Sequence, residues 1–129
     1  MTDTPAPAPL ALADRLPAVG EAIRAGDMAR AFALAREGLD LGQEHPGLLG
    51  LRSLWLEQQG KYESALLDID RALELAPLDP ATLNAKGLVL DRLQRQRDAL
   101  EAFRTATEVA PRFAPAFQDF KFKTMNDTG

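Results

Sequence analysis

The sequence predicts an all-α protein built from three helical hairpins and one final helix. Segments 46–79 and 80–113 have the same length and align without a gap, with identical residues at ten positions. We call the number of residues from 46 to 79 the repeat length, and residues this far apart in the chain are called equivalent. Within each segment the apolar residues recur at the spacing of amphipathic helices, and no segment alternates as a half-buried strand does. The 129 residues are therefore expected to form a short repeat array rather than two full domains.

The composition excludes several kinds of chemistry. The chain has no cysteine, which excludes disulfides, iron–sulfur clusters, thiolate zinc sites and a cysteine nucleophile. Its one histidine, His45, has no second ligand at helical spacing, so we expect neither a metal nor a catalytic role there, and no cofactor. The formal net charge of -4 argues against a nucleic-acid partner, because such binding requires a basic surplus. No apolar run approaches the roughly 18 residues of a membrane span.

The first eleven residues are predicted to be a disordered tail. Proline and alanine alternate between Thr2 and Pro9, and proline supplies no backbone donor for a helix or a sheet. The first fourteen residues contain no lysine or arginine, so the charged start of a secretory signal is not expected. Because the chain also lacks cysteine, we expect the protein to be cytoplasmic.

The first hairpin is predicted over residues 12–45, in phase with the later two. It shares only four identities with the second copy, and Gly26 is one of them. A helix capped by Asp14 would place Pro17 in its first turn, where no backbone donor is required. Gln43 stands where the later copies have a proline, so the second helix of this hairpin lacks their proline stop.

The second and third hairpins are predicted over residues 46–79 and 80–113. Each begins with a proline, Pro46 or Pro80, at a helix start where the missing N–H is harmless. Asp79 is a natural N-cap for the third hairpin.

In each hairpin, residues at the turn and small residues between the helices are expected to determine how the two helices pack. Gly60 ends the first helix of the second copy, whereas Gln94 occupies the equivalent turn at a cost of up to about 1 kcal/mol. Ala65 and Ala72 let the paired helix approach closely, while Ile69 fills the space between them. The equivalent residues of the third copy are Ala99, Phe103 and Ala106.

Residues 114–129 are predicted to form a final helix with a short tail. Phe113, Phe117 and Phe120 are spaced i, i+4, i+7 and form one apolar face, which we expect to dock on the last hairpin as a cap. Phe122 falls outside this face and is a candidate for self-association or for the end of a binding groove.

The repeated helix–turn–helix unit resembles the tetratricopeptide repeat in its length and in its residue pattern. The pattern consists of a large apolar residue, a small residue four positions later, a large residue before the turn, an alanine–large–small series and a closing proline. In the second copy these residues are Leu49, Ser53, Leu56, Ala65, Ile69, Ala72 and Pro77. In the third copy they are Leu83, Gly87, Leu90, Ala99, Phe103, Ala106 and Pro111. Arg52 and Lys86 depart from the family's leucine before the small position.

The resemblance implies a right-handed superhelical solenoid of three repeats plus a C-terminal capping helix. It also implies a non-enzymatic scaffold that binds a peptide or helix of a protein partner in a concave groove, lined by the first helix of each repeat. The groove residues implied are Leu16, Ile23, Arg24, Leu54, Glu57, Gln58, Asn84, Leu88, Asp91 and Arg92. Their apolar floor and mixed-charge rim favour an amphipathic helix or an extended apolar peptide.

One well-known use of the family is not expected. Some of its domains hold the acidic C-terminal tails of heat-shock chaperones with lysine, asparagine and arginine at fixed groove positions. Those positions here are Leu16, Gly20, Leu51, Ala81 and Ala85, none of which binds a carboxylate.

Two further functions stay open on the sequence. Such arrays are often fused to catalytic domains, so the chain also resembles an N-terminal regulatory domain of a larger enzyme. In size and acidity it is similar to small chaperones for secreted proteins, which bind an apolar export segment and often dimerise. We expect a protein partner, no nucleic acid and no membrane, and a homodimer is kept as an open alternative.

Overall fold

The structure is a computed structural model that describes residues 8–127, so the first seven residues of the predicted tail lie outside the described residues. Over this range the chain is helical and contains no strand, and the predicted all-α fold class is confirmed. The helices are α1 Leu12–Arg24, α2 Met28–Asp40, α3 Pro46–Gln58, α4 Tyr62–Leu75, α5 Pro80–Arg92, α6 Gln96–Val109 and α7 Ala114–Asp127, with a short 3-10 helix at Pro111–Phe113.

The chain divides into two compact units, Met1–Glu44 and His45–Gly129, which are described separately. In the first unit α1 packs against α2. In the second unit α3 packs against α4, α5 packs against both α4 and α6, and α7 packs against α6. The final helix therefore contacts the helix before it, as α5 contacts α4.

The turns between paired helices repeat the same backbone geometry. Gly26, Gly60 and Gln94 occur at intervals of one repeat length and have φ angles of 74°, 76° and 64°. After the second of these turns the Lys61 amide donates to the Leu56 carbonyl at 2.9 Å, which satisfies a carbonyl at the helix end. Among residues 8–127, Gln94 alone is a non-glycine residue with a positive φ.

Glycine rather than proline ends α2. Gly42 has a φ of 81°, and the amide of Gln43 donates back to the carbonyl of Gly38 at 2.9 Å. This bond pattern closes the helix without the proline found in the later copies.

Arg15 is fully buried in the first unit. Its Nε donates to Oε1 of Gln43 at 2.8 Å, its Nη1 to the Leu34 carbonyl at 3.0 Å and its Nη2 to the Leu10 carbonyl at 3.1 Å. Nη1 also lies 3.5 Å from a carboxylate oxygen of Glu37. Because each guanidinium nitrogen has an acceptor, the buried charge does not lose its hydrogen bonds.

The sequence change that creates this network involves two positions at once. Arg15 is equivalent to Leu49 of the second copy, and Gln43 is equivalent to Pro77. The first unit thus has a hydrogen-bonded Arg–Gln pair at the positions that are leucine and proline in the second copy.

Helix α1 starts at Leu12, where the predicted first hairpin begins. Ala11 is at the N-cap and no side chain caps the helix, so Asp14 is not its cap. The amides of Asp14 and Arg15 already donate to the Ala11 carbonyl at 3.0 and 2.8 Å, which turns the chain before Asp14 is reached. Pro17 consequently lies inside the helix, where it removes one helical hydrogen bond.

Asp79 and His45 each precede the first proline of a helix, and their side chains form different hydrogen bonds. Asp79 occupies the N-cap position of α5 as predicted, but its carboxylate accepts from the Thr82 hydroxyl instead of from a backbone amide. His45 occupies the N-cap of α3, where its Nδ1 accepts from the Gly47 amide at 3.0 Å.

Large and small side chains are matched where α5 meets α6. A Cβ placed on Gly87 would lie 2.6 Å from the ring of Phe103, so this close approach requires glycine. The equivalent residues in the α3–α4 hairpin are Ser53 and Ile69, both buried. A smaller gap-filling side chain in α4 thus accompanies a larger residue in α3.

Helix α7 closes the core of the second unit. Phe117 and Phe120 pack on this core, and the rings of Phe103 and Phe120 lie 4.9 Å apart. Phe113 does not join them, because it lies in the 3-10 helix with the guanidinium of Arg112 4.9 Å from its ring centre. The predicted docking face is therefore formed by two phenylalanines and not by three.

No helix in the described part of the chain has the length and the apolar content that a membrane crossing requires.

Candidate functional site

The first unit places three of the predicted groove residues along α1. Leu16 is half-buried, Ile23 is 45% exposed and Arg24 is exposed. A Cβ on Gly20 would lie 3.3 Å from Nη1 of Arg24, so the guanidinium covers this glycine. The apolar surface of α1 is therefore narrow and is centred on Ile23.

The second unit exposes two large apolar side chains at equivalent positions. Leu54 of α3 is 39% exposed and Leu88 of α5 is 47% exposed, and the two are exactly one repeat length apart. The opposite sides of the same helices are buried through Leu49 and Leu83. Leu54 and Leu88 are thus not absorbed into the core, although each helix has a well-covered apolar face.

The residue of α7 that is equivalent to Leu54 and Leu88 is Phe122. It lies one repeat length after Leu88 and is 68% exposed. Nζ of Lys123, the next residue, lies 3.4 Å from Asp91, one helical turn after Leu88, so this part of α7 lies near the part of α5 that carries Leu88. Met125, one helical turn further on and 65% exposed, shares this face. We call Leu54, Leu88, Phe122 and Met125 the apolar row.

One ion pair borders the apolar row. Nζ of Lys123 in α7 lies 3.4 Å from a carboxylate oxygen of Asp91 in α5, whose side chain is only 24% exposed. Arg92 and Gln58 are exposed, and Glu57 is half-buried. The row is therefore flanked by both signs of charge and has no surplus of either.

A polar cleft of about 440 Å³ lies beside this ion pair. Its lining residues are Tyr62, Asp91, Arg92, Gln94, Gln96 and Lys123. The cleft adjoins the rim of the predicted groove but not its apolar floor.

Asn84 has an unusual environment among the predicted groove residues. The residue is half-buried, and its Oδ1 is buried without a hydrogen-bond partner. The equivalent position in α3 is Gly50, which has open space around it. An unpaired buried acceptor of this kind weakens the local packing.

A second cleft, of about 380 Å³, lies between α4, α5 and α6 and contains none of the predicted groove residues. Four of its lining side chains, Asp70, Lys86, Arg95 and Glu101, already belong to ion pairs. Lys86 lies 2.9 Å from Asp70, and Arg95 lies 3.1 Å from Glu63. Its lining charges are thus largely paired within the chain.

Metal ligation has no structural support in residues 8–127, where no three histidine, aspartate or glutamate side chains lie together. His45 is engaged in capping α3.

Sequence reasoning found Leu54 and Leu88 but gave Phe122 two alternative roles. Counting one repeat length onward from Leu88 would have placed Phe122 on the same row. Lys123 was not recognised, because its partner Asp91 lies in a different helix at a spacing that is not the repeat length, and no periodic signal marks the pair.

The geometry defines a class of protein before any comparison. Successive helical pairs with equivalent residues at a constant interval define a helical-repeat protein. The particular fold is that of the tetratricopeptide repeat (TPR), as three solved structures show.

The chain is similar to the first TPR of Spaghetti (RPAP3), solved with the HSP90 peptide SRMEEVD, with a TM-score of 0.72 and 15% sequence identity over 92% of this chain and 99% of that chain. It is also similar to the first TPR domain of human RPAP3, with a TM-score of 0.70 and 16% identity over 87% and 91% of the two chains. The second TPR domain of human RPAP3, in complex with the HSP70 peptide SGPTIEEVD, gives a TM-score of 0.66 and 18% identity over 83% and 92%. No family model and no curated protein matches the sequence.

Proposed function

We propose that this protein is a non-enzymatic interaction module that binds an apolar peptide, or the apolar face of a helix, from a protein partner. The observation that carries the proposal is the repeated exposure of Leu54 and Leu88 at equivalent positions of α3 and α5. Single exposed leucines are common on folded domains, but exposure at equivalent positions of successive repeats is typical of a docking surface.

The full predicted groove would also include residues of α1. Ile23 is exposed as Leu54 and Leu88 are, and Arg24 is exposed beside it. In this proposal the apolar residues bury the partner's side chains, while Arg24, Glu57, Asp91 and Arg92 fix its register. Gln58 supplies an amide group for the partner's polar atoms, and Asn84 supplies only its Nδ2, because its Oδ1 is buried.

The partner differs from the peptides named for the similar structures. SRMEEVD and SGPTIEEVD both end in acidic residues. The positions that would hold such a tail are Leu16, Gly20, Leu51, Ala81 and Ala85. None carries a cation or an amide, so a peptide ending in carboxylates would lose its water without gaining a partner.

The test uses peptides selected from a random display library on the immobilised wild-type protein. The tightest is synthesised with a fluorescein label, and its Kd is measured by fluorescence anisotropy. Leu54→Glu/Leu88→Glu is expected to weaken binding by about 100-fold or more, because a charge would replace each buried contact.

The matched control is Leu67→Glu, since Leu67 of α4 is 72% exposed and lies outside the predicted groove. It should bind as the wild type does. The peptide SRMEEVD serves as the probe for acidic tails and should not bind. Equal affinity of a folded Leu54→Glu/Leu88→Glu variant, with circular dichroism unchanged, would refute the groove assignment.

A further inference from the structure

The two sides of α7 have different chemistry. On the side where a further hairpin helix would pack, Lys121 and Thr124 occupy the positions that are Gly87 and Leu90 in α5. In α5 these positions are buried against α6. Polar residues there give α7 a hydrated outer side, as expected of a helix that ends an array.

The side that continues the apolar row does not follow this pattern. Phe122 and Met125 are 68% and 65% exposed, more than Leu54 or Leu88. Met125 even replaces a charge, because the equivalent residue of α5 is Asp91. A helix that served only as a cap would gain nothing from two large apolar side chains on this side.

The charges next to this patch indicate what it binds. Asp91 and Lys123 neutralise each other across α5 and α7, and they stand beside Leu88 and Phe122. A charged side chain placed over Phe122 and Met125 would lose its water against two apolar side chains. The thioether of Met125 is flexible and polarisable, and it adapts to aromatic or aliphatic groups.

The area of the patch favours one anchor side chain over a second copy of the protein. A buried aromatic side chain covers about 150–250 Å². A stable dimer buries about 800 Å² per partner. The surface that Phe122 and Met125 expose is too small to form a dimer interface by itself. It is large enough to enclose a single leucine, methionine or phenylalanine.

We propose that α7 is the C-terminal wall of the binding surface, where Phe122, Met125 and Leu88 hold one large uncharged apolar side chain of the partner peptide. This inference rests on the proposed function, because it requires a peptide along the same face. It adds the residue class that the partner must present at that end.

The experiment uses the labelled peptide selected by the wild-type protein and a set of its variants with each apolar residue changed to alanine. Phe122→Ser/Met125→Ser is expected to weaken binding of the parent peptide by about tenfold or more. One alanine variant of the peptide should bind the wild-type protein more weakly than the parent peptide does. The same peptide change should have little effect on binding to Phe122→Ser/Met125→Ser, because both changes remove the same contact. Lys121→Ser, on the outer side of α7, is the control and should leave the Kd unchanged.

The failures can be told apart. If Phe122→Ser/Met125→Ser binds normally while Leu54→Glu/Leu88→Glu does not, α7 is only a cap and this inference is overturned alone. If no selected peptide depends on Leu54 and Leu88, the proposed function falls and this inference with it. If sedimentation shows a wild-type dimer that Phe122→Ser/Met125→Ser converts to a monomer, a second copy occupies the patch and the inference is overturned.

Discussion

The α3–α4 and α5–α6 hairpins fill the same interior with different side chains. In the first, the equivalent residues Ser53 and Ile69 are both buried, and in the second, Gly87 lies directly against Phe103. A serine–isoleucine pair has thus been exchanged for a glycine–phenylalanine pair. The comparison teaches that the repeat constrains the summed volume across two helices and leaves the individual residues free.

The ion pairs of the two hairpins differ in the same way. Arg52 donates from Nε and Nη2 to both carboxylate oxygens of Asp68 at 2.8 Å, within one hairpin. Lys86 is equivalent to Arg52, but the residue equivalent to Asp68 is Ala102, which cannot form an ion pair. Lys86 instead lies 2.9 Å from Asp70 of the preceding hairpin. The same helix position therefore joins two helices of one repeat in the former case and two repeats in the latter.

The largest effect is expected for Gly87→Ala. The new methyl group would lie 2.6 Å from the Phe103 ring, and overpacking of this kind should lower the free energy of unfolding by about 2 kcal/mol. Urea denaturation followed by circular dichroism measures the change. Gly50→Ala is the control, because nothing lies within 4 Å of its Cβ position, and it should stabilise the helix by about 0.5–1 kcal/mol.

The volume exchange itself can be tested by adding Phe103→Ile to Gly87→Ala. A double variant that remains as unstable as the sum of its single changes would contradict the pairing of these two positions.

An intermediate effect is expected for Arg52→Met. It would leave the carboxylate of Asp68, whose side chain is 9% exposed, without its bidentate partner and should lower the free energy of unfolding by about 1.5 kcal/mol. Lys86→Met breaks a pair whose side chains are 33% and 46% exposed, so it should change the free energy of unfolding by about 0.5 kcal/mol at most. Equal losses for the two variants in urea titrations would show that the two pairs are equivalent.

The smallest effect is expected for Gln94→Gly. Residue 94 has a φ of 64°, and glycine adopts this conformation without a Cβ penalty, so the free energy of unfolding should rise by about 1 kcal/mol or less. Gly60→Gln makes the reverse change at a φ of 76° and should be destabilising by a similar amount. Thermal unfolding curves of the pair would contradict this account if both variants shifted the melting temperature in the same direction.

Most of the fold follows from the constant repeat length. Once Gly60 is placed in a turn, Gln94 must adopt the same backbone, and the alanines Ala65, Ala72, Ala99 and Ala106 must face a partner helix. The structure places all four alanines in the interior. The period works because the α3–α4 and α5–α6 hairpins bury equivalent helix faces.

The first unit shows where this reasoning stops. Arginine is almost never fully buried unless it is paired, so composition indicates a surface position for Arg15. Its partner Gln43 belongs to the end of the same hairpin, and only the folded hairpin brings the two together. The exposure of Leu54 and Leu88 could not be predicted from the sequence either, because it depends on the distance between neighbouring helices. Their inclusion in a binding groove remains a prediction.

The buried network of Arg15 and Gln43 gives the first unit a different thermal character. Unfolding exposes apolar surface, which raises the heat capacity, and polar surface, which lowers it. Where the later hairpins bury a leucine, the first buries the guanidinium of Arg15, whose half-buried partner Gln43 donates to the Leu10 carbonyl. The heat-capacity increment per residue should therefore be smaller for α1 and α2 than for α3–α6. Their stability then varies less steeply with temperature, so cooling weakens this end of the protein less than the other.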